Sequence, residues 1–394
     1  STLAVWGTDA ADAAPRDLVG PRFYLPEETP FTSGLSAAGD IDDDGANDVV
    51  LSDAAGIQIA VFSPDALKGL SSHDDAEAYT IGGIADFMAI ADVIDDASDR
   101  PEIIVITGGT LHVYRYDIAG QPLESVDSVA GLGANVTGMA TGDLDGDGFA
   151  EIVVTDAAAT EIHVLTESSI TPGTLEPLFA AIGGKDGVAG PSVGEIDASS
   201  AGPEIVVANE DEDKQQVSVY SSGGAFIRSV QIYDETAPQR TVATLVADVL
   251  PGITPAGTSG TELVVAANGG TADSYVVVLP QLSAGGFDTQ QSYMTGPGFG
   301  SGSLAAGDID GDTYAELVVG NGGYWSRTPA LATPPSVQVF HHDAQQDAFD
   351  TGLTETLFAG GVERAGVAPT LAIADLGGVG PSRHPVGAVA DAHA

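Results

Sequence analysis

One pattern recurs along the whole chain. A run of small and apolar residues ends in an acid, a short acidic or glycine-rich loop follows, and a second acid opens a β-branched run. The copies are LSAAGDIDDDGANDVVLSD, FMAIADVIDDASDRPEIIVIT, GMATGDLDGDGFAEIVVTD, PSVGEIDASSAGPEIVVAN, TLVADVLPGITPAGTSGTELVVAAN, SLAAGDIDGDTYAELVVGN and TLAIADLGGVGPSRHPVGAVAD. Their first acids are Asp40, Asp92, Asp143, Glu195, Asp248, Asp308 and Asp375, at intervals of 51 to 67 residues. A repeat of this length is one supersecondary unit that cannot bury its apolar face alone, so the copies must stack on one another.

Each copy carries further strand-like segments. After the β-branched run comes an alternating one, as in IQIAVF, TLHVYRY, EIHVLT, QVSVYS, SYVVVL and SVQVF; a weaker segment follows, as in AEAYTI, PLFAAI, FIRSVQIY and TETLF. Four short strands per repeat, divided by Gly, Asp and Pro turns, predict an all-β, seven-bladed β-propeller with four antiparallel strands per blade. The last copy stops after its second strand, while TLAVWG and PRFYLPEE at the start read as a third and a fourth. The N-terminal strands are therefore expected to complete the last blade, which removes two exposed sheet edges. The expected division of this single domain is 1–28 for the outer strands of blade 7, 29–80 for blade 1, 81–130 for blade 2 and 131–183 for blade 3. Blade 4 is expected over 184–235, blade 5 over 236–296, blade 6 over 297–358, and the inner strands of blade 7 over 359–394.

The loops carry the chemistry. Asp40, Asp42, Asp44 and Asp48, with Gly45, form a D-x-D-x-D-G-x-x-D turn; Asp143, Asp145, Asp147 and Glu151 repeat its spacing, and so do Asp308, Asp310, Asp312 and Glu316. Alternate acids in a tight turn converge their oxygens on one point, and calcium takes six to eight oxygens at about 2.3–2.6 Å. About three structural Ca2+ ions are expected, pinning the loops between first and second strands. In the second copy Asp92, Asp95, Asp96, Asp99 and Glu102 supply enough oxygens at altered spacing; in the fourth, Glu195, Asp197, Ser199 and Glu204 supply fewer. The copies at Asp248 and Asp375 lack the middle carboxylates and are expected to hold no ion.

Charge narrows the partners. There are 57 Asp and Glu against 12 Lys and Arg in 394 residues, a formal net charge of −45. Such a surface repels nucleic acid and anionic membrane, since phosphate contacts need Lys and Arg; it suits divalent cations or high salt. There is no cysteine, so disulfides and thiolate metal sites are excluded. No apolar run approaches the roughly 20 residues of a membrane span, and the opening STLAVWGTDA has no basic segment of a signal peptide.

The segment FGSGSLAAGDIDGDTYAELVVGN, from Phe299 to Asn321, resembles an FG-GAP repeat, in which Phe-Gly opens the unit and a Gly-Asp step leads into the calcium loop. ATGDLDGDGFAEIVVTD and AAGDIDDDGANDVVLSD match from the Gly-Asp step onward. The resemblance, strong in three copies and loose in four, implies the architecture of integrin α-chain heads, propeller lectins and modules attached to secreted enzymes. Function varies across that family, so fold analogy does not select one.

No catalytic pattern stands out: there is no G-x-S-x-G elbow, H-E-x-x-H or phosphate-binding loop. His112 and His163 occupy equivalent strand positions and read as exposed or packed strand residues rather than a catalytic pair. The insertion GNGGYWSRTPALATPP places Asn321, Tyr324, Trp325 and Arg327 on the face opposite the acidic loops, with Asn209 and Asn268 at corresponding places. An aromatic pair beside an arginine can stack on a sugar ring or grip an acidic group. The expected function is a secreted, extracellular or cell-surface binding or adhesion module for a glycan or an extracellular protein, monomeric and not inserted in a membrane. A polysaccharide lyase or hydrolase, and a structural part of a surface assembly, are the competing readings.

Overall fold

A computed structural model describes residues 2–6, 23–24, 33–43, 47–53, 58–62, 76–95, 100–116, 123–184, 188–197, 200, 202–209, 216–232, 240–250, 261–268, 273–282, 286–287, 290–297, 301–307, 315–321, 336–343, 348–349, 355–358, 370–374 and 386–390. Every regular element among them is a strand.

The strands form a β-propeller of antiparallel sheets. Their innermost strands stand side by side in a closed ring: Ser33–Gly39, Phe87–Ala91, Val136–Gly142, Ala189–Gly194, Arg240–Ala247, Ser301–Gly307 and Thr370–Ala374, the last packing against the first. The second strands are buried on both faces, as the unbroken apolar runs EIIVIT and EIVVTD require. The third strands, TLHVYR and EIHVLTE, alternate between buried and half-buried positions.

Each core lies between two neighbouring sheets. Ile104, Ile106, Leu111 and Val113 meet Ile152, Val154 and Leu165 across one such boundary, and Val206, Val217 and Val219 meet Leu263, Val265 and Val277 across another. Burying one such side chain contributes about 1.5–3 kcal/mol, so the sheets hold one another up.

One sheet departs from the expected seven uniform blades. Among the described residues six sheets have four strands, but the sheet beginning at Val136–Gly142 has five, so six four-stranded blades form, not seven. Its outer strand is broken: Leu175–Pro177 pairs with one end of Glu161–Glu167, and Ile182–Gly183 with the other. Pro177 lacks an amide hydrogen for the ladder, and Leu178 and Phe179 turn into the apolar cluster shared with the next sheet. Phe179 lies against Gly224 there, within 2.8 Å of where a Cβ would stand. The sheet containing Ser336–Phe340 is followed by an extra two-stranded hairpin, His342–Asp343 with Ala348–Phe349.

In a further sheet, Thr2–Trp6 pairs with Val386–Ala390, and Phe23–Tyr24 pairs with Thr2–Trp6 on its outer side. Residues from the two ends of the chain thus share one ladder, with Leu3 opposite Ala390.

The glycine before each acidic loop has a packing reason. A Cβ on Gly39 would lie 2.6 Å from Ile90 Cγ2, one on Gly142 2.6 Å from Val193 Cγ1, and one on Gly194 2.5 Å from Val246 Cγ1. In each case the intruding residue sits one place earlier on the following inner strand. Where the position is alanine, the matching neighbour is Ala306 for Ala247, Ala38 for Ala374 and Thr141 for Ala91.

Candidate metal centres

In six sheets an acid opens the second strand and is the fixed point of its loop; Val386–Ala390 opens without one. Asp48, Glu102, Glu151, Glu204, Glu262 and Glu316 are each 1% exposed or less. The carboxylates of the first five accept from backbone N–H groups just past the loop's first acid. Ile41 donates to Asp48 at 2.8 Å, Val93 to Glu102 at 3.1 Å and Leu144 to Glu151 at 2.6 Å. Ile196 donates to Glu204 at 2.9 Å and Val249 to Glu262 at 2.8 Å. The donors' side chains are themselves buried. Each apolar residue therefore drives into the core between sheets while the buried carboxylate satisfies its amide, and the loop is pinned at both ends.

In two loops the acids converge. One oxygen from each of Asp40, Asp42 and Asp48 lies within 4.8 Å of the others, and Asp143, Asp145 and Glu151 form the same arrangement. In the latter loop Asp143 accepts from Gly146 and Gly148, and Asp145 from the Asp147 amide. Gly146 at φ 81° and Gly148 at φ 101° supply the left-handed turns that bend the acids inward. At the place of Gly146 the first loop has Asp43, which holds φ 59° without a glycine. Burial raises the Glu151 carboxyl above its ordinary range; hydrogen bonds from Leu144 and Thr166 pull it down, and the nearby charges of Asp145 and Asp147 push it up. Concentrated negative charge around a buried carboxylate is the electrostatic setting that a cation relieves.

The other expected ligands divide. Asp147 is exposed, lies outside the cluster, and accepts from the Phe149 amide at 2.9 Å. Asp44, Asp96, Asp99, Ser199, Asp308, Asp310 and Asp312 lie outside the described residues. Glu316 is buried, with His341 Nδ1 3.7 Å from Oε1. In the second loop Asp92 and Asp95 are not gathered with a third ligand among the described residues; the Asp95 amide instead donates to Glu167 of the next sheet at 2.6 Å. In the fourth loop Asp197 faces Arg228, Nη1 to Oδ2 at 3.2 Å, while Glu195 and Glu204 lie close enough to raise the Glu204 carboxyl, after burial as the main cause.

Two cations at these loops escaped the sequence reading: Arg228, and Arg115, whose Nη2 lies 3.5 Å from Glu102 Oε1. Arg115 was readable. The two-residue turn Gly108-Gly109 sets Thr107 opposite Thr110, and counting back puts Glu102 opposite Arg115. Arg228 comes from a fourth strand, Phe226–Gln231, whose register with the third shifts by one between Tyr220 and Val219, so counting from the turn misses it.

On the opposite face Asn209 and Asn321 are buried, 0% and 2% exposed. Asn321 Nδ2 donates to the Thr295 carbonyl at 2.8 Å, and the Asn209 backbone exchanges bonds with the Thr241 hydroxyl, so both tie one sheet to its neighbour. Asn268 ends the strand Glu262–Asn268. Tyr324, Trp325 and Arg327 lie outside the described residues. His112 bonds Thr107 at 3.0 Å, and burial lowers its pKa; His163 sits in a different sheet, 3.6 Å from Glu161.

Comparison with known proteins follows these loops. Residues 96–154 match the FG-GAP-like repeat, and residues 301–324 match the FG-GAP repeat. No curated protein sequence matches the chain. Among solved structures, BBS1N in complex with ARL6DN, soaked with mercury, is similar at a TM-score of 0.52 and 13% identity, over 99% of this chain and 98% of that one. A candidate 6-phosphogluconolactonase from Bacteroides uniformis is similar at a TM-score of 0.51 and 13% identity, over 91% and 97%. A protein from Lactobacillus plantarum gives 0.50 and 16%, over 83% and 85%. At these identities the likeness is one of fold. No described helix is long and apolar enough to cross a membrane, which says nothing of a membrane β-barrel.

Proposed function

We propose that this chain, a β-propeller of FG-GAP repeats, is a calcium-braced, non-catalytic binding module, at work outside the cell or on its surface. One observation carries the reading: in two loops the acids converge on each other and on their own backbone, an arrangement suited to holding the scaffold. Two oxygens that share an ion at about 2.4 Å stand no more than about 4.8 Å apart, and the oxygens of each acidic trio lie within that limit. Asp40, Asp42 and Asp48 would hold one ion, Asp143, Asp145 and Glu151 a second, and Asp308, Asp310, Asp312 and Glu316 a third. A bound Ca2+ would supply charge neutralisation and a fixed loop geometry. The five-stranded sheet serves as the remaining blade of the ring.

The ligand, a glycan or a protein, would meet the face away from these loops, at the insertion carrying Tyr324, Trp325 and Arg327. A protein ligand is supported by the similarity to BBS1N, a protein solved in complex with ARL6DN. The test is a glycan array and a panel of purified extracellular proteins, probed with the full chain and with Trp325→Ala. Trp325→Ala should weaken the best hit at least tenfold, while Asp145→Asn leaves it within twofold. Steady turnover of an acidic polysaccharide by the full chain would overturn the non-catalytic reading.

A further inference from the structure

The buried acids of the second and fourth loops need a countercharge as much as those of the third, yet among the described residues they are not gathered into an ion-sized trio. Glu102 and Asp197, the acids that the two guanidiniums face, are 0% and 5% exposed. We propose that guanidinium groups do in these two loops what a metal ion does in the third: Arg115 is the resident cation of the second loop and Arg228 of the fourth. The comparison with the third loop rests on the metal reading above.

The geometry differs between the two, and that difference is informative. Arg115 ends a third strand, Thr110–Arg115, and reaches across the ladder, with Nη2 3.5 Å from Glu102 Oε1 and Nη1 3.8 Å from Glu124 Oε2. Arg228 belongs to a fourth strand. Its Nη1 lies 3.2 Å from Asp197 Oδ2, its Nη2 donates to the Ile196 carbonyl at 3.5 Å, and its plane stands 5.1 Å from the Phe287 ring centroid of the next sheet. Two strands of different rank thus deliver the same group to the same end of the sheet. In the third loop the residue opposite Glu151 is Thr166, which donates a neutral hydroxyl at 2.9 Å and brings no charge.

The chemistry suits the task. A guanidinium stays charged at any pH the fold survives and presents several donors in a plane, so it can hold a carboxylate and a loop carbonyl together. It is also tethered, so these loops stay braced when the free cation concentration falls. In a chain with 12 Lys and Arg against 57 acids, two of the few cations stand at this one structural position.

The experiment compares the full chain with Arg115→Met, Arg228→Met, Arg228→Lys, Asp197→Asn and Asp145→Asn. Calcium stoichiometry is measured by equilibrium dialysis, and melting in chelator and in millimolar Ca2+. The expectation is that Asp197→Asn leaves the number of bound ions unchanged while Asp145→Asn removes one. Both methionine variants should melt several degrees lower in chelator, and Arg228→Lys should recover part of that loss. Should Arg228→Met fail to fold, Arg228→Lys and Asp197→Asn carry the test. Loss of one ion in Asp197→Asn, or methionine variants that melt like wild type in chelator, overturns the proposal. If wild type binds no calcium while the arginine variants are destabilised, the metal reading fails and the arginines stand as the loops' cations.

Discussion

Gly142→Ala should destabilise this protein, against the preference of a strand for alanine. An isolated strand gains roughly 0.5–1 kcal/mol from that exchange, because glycine loses more backbone freedom on folding. Here the new Cβ would stand 2.6 Å from Val193 Cγ1 and 2.8 Å from Val193 Cβ. A Cβ cannot swing away by a rotamer change, and β-branching leaves valine few rotamers in any case. The two inner strands must therefore move apart, and overpacking of this kind costs about 1–3 kcal/mol. The net loss should be about 1–2 kcal/mol. Val193→Ala alone opens a void and also destabilises. In Gly142→Ala/Val193→Ala the contact with Cγ1 is gone while the one with Cβ at 2.8 Å remains, so the double variant should recover part of the loss and be more stable than the sum of the singles by about 1 kcal/mol. Urea unfolding of the four proteins closes the cycle. If the single changes add within about 0.5 kcal/mol, or if Gly142→Ala stabilises, the contact between these strands is not what requires glycine.

Chelation should lower the melting temperature of wild type by several degrees, and Asp145→Asn should shrink that shift in differential scanning calorimetry. Asp43→Gly should stabilise by about 0.5–1 kcal/mol in urea unfolding, since Asp43 holds φ 59° where the third loop has Gly146. The Glu204 carboxyl is raised in the folded protein, burial being the first cause. Its contribution to stability is therefore complete below the ordinary glutamate range and lost as pH rises through the folded value. Glu204→Gln should gain stability relative to wild type between pH 4.5 and 7, and a pH-independent difference between the two would contradict this.

What the sequence disclosed follows from what is local. The second strands were readable because burial on both faces demands unbroken β-branched runs, and the loops because their acids and glycines lie within ten residues of one another. The strand pattern of TLAVWG matched the piece missing beside Val386–Ala390, so that pairing was readable too. Arg228 was harder, since it reaches Asp197 from 31 positions away and a register shift after the turn moves the count by one. Asn209 and Asn321 looked like surface polar residues at loop mouths. Their burial depends on Thr241 and Thr295 of neighbouring sheets, which no local pattern reveals. The broken outer strand at Leu175–Gly183 was hidden for a similar reason: LEPLFAAIG has strand composition throughout, and only the cluster beside Gly224 gives Phe179 a better place than the ladder.

The pairing of Leu3 with Ala390 sets a timetable for biosynthesis. A ribosome adds about 5–20 residues per second, so Thr2–Trp6 emerges tens of seconds before the strand it will join. The six sheets between residues 33 and 358 can form in order as they are made. During that interval the first strand has an empty edge, and the growing arc has an inner strand at each end with no neighbour. The entropy of bringing such distant residues together grows only slowly with their separation; the delay is the larger burden. A helper that shields strand edges on the nascent chain, or a slower rate of initiation, should raise the yield of soluble protein more than any stabilising change within a sheet.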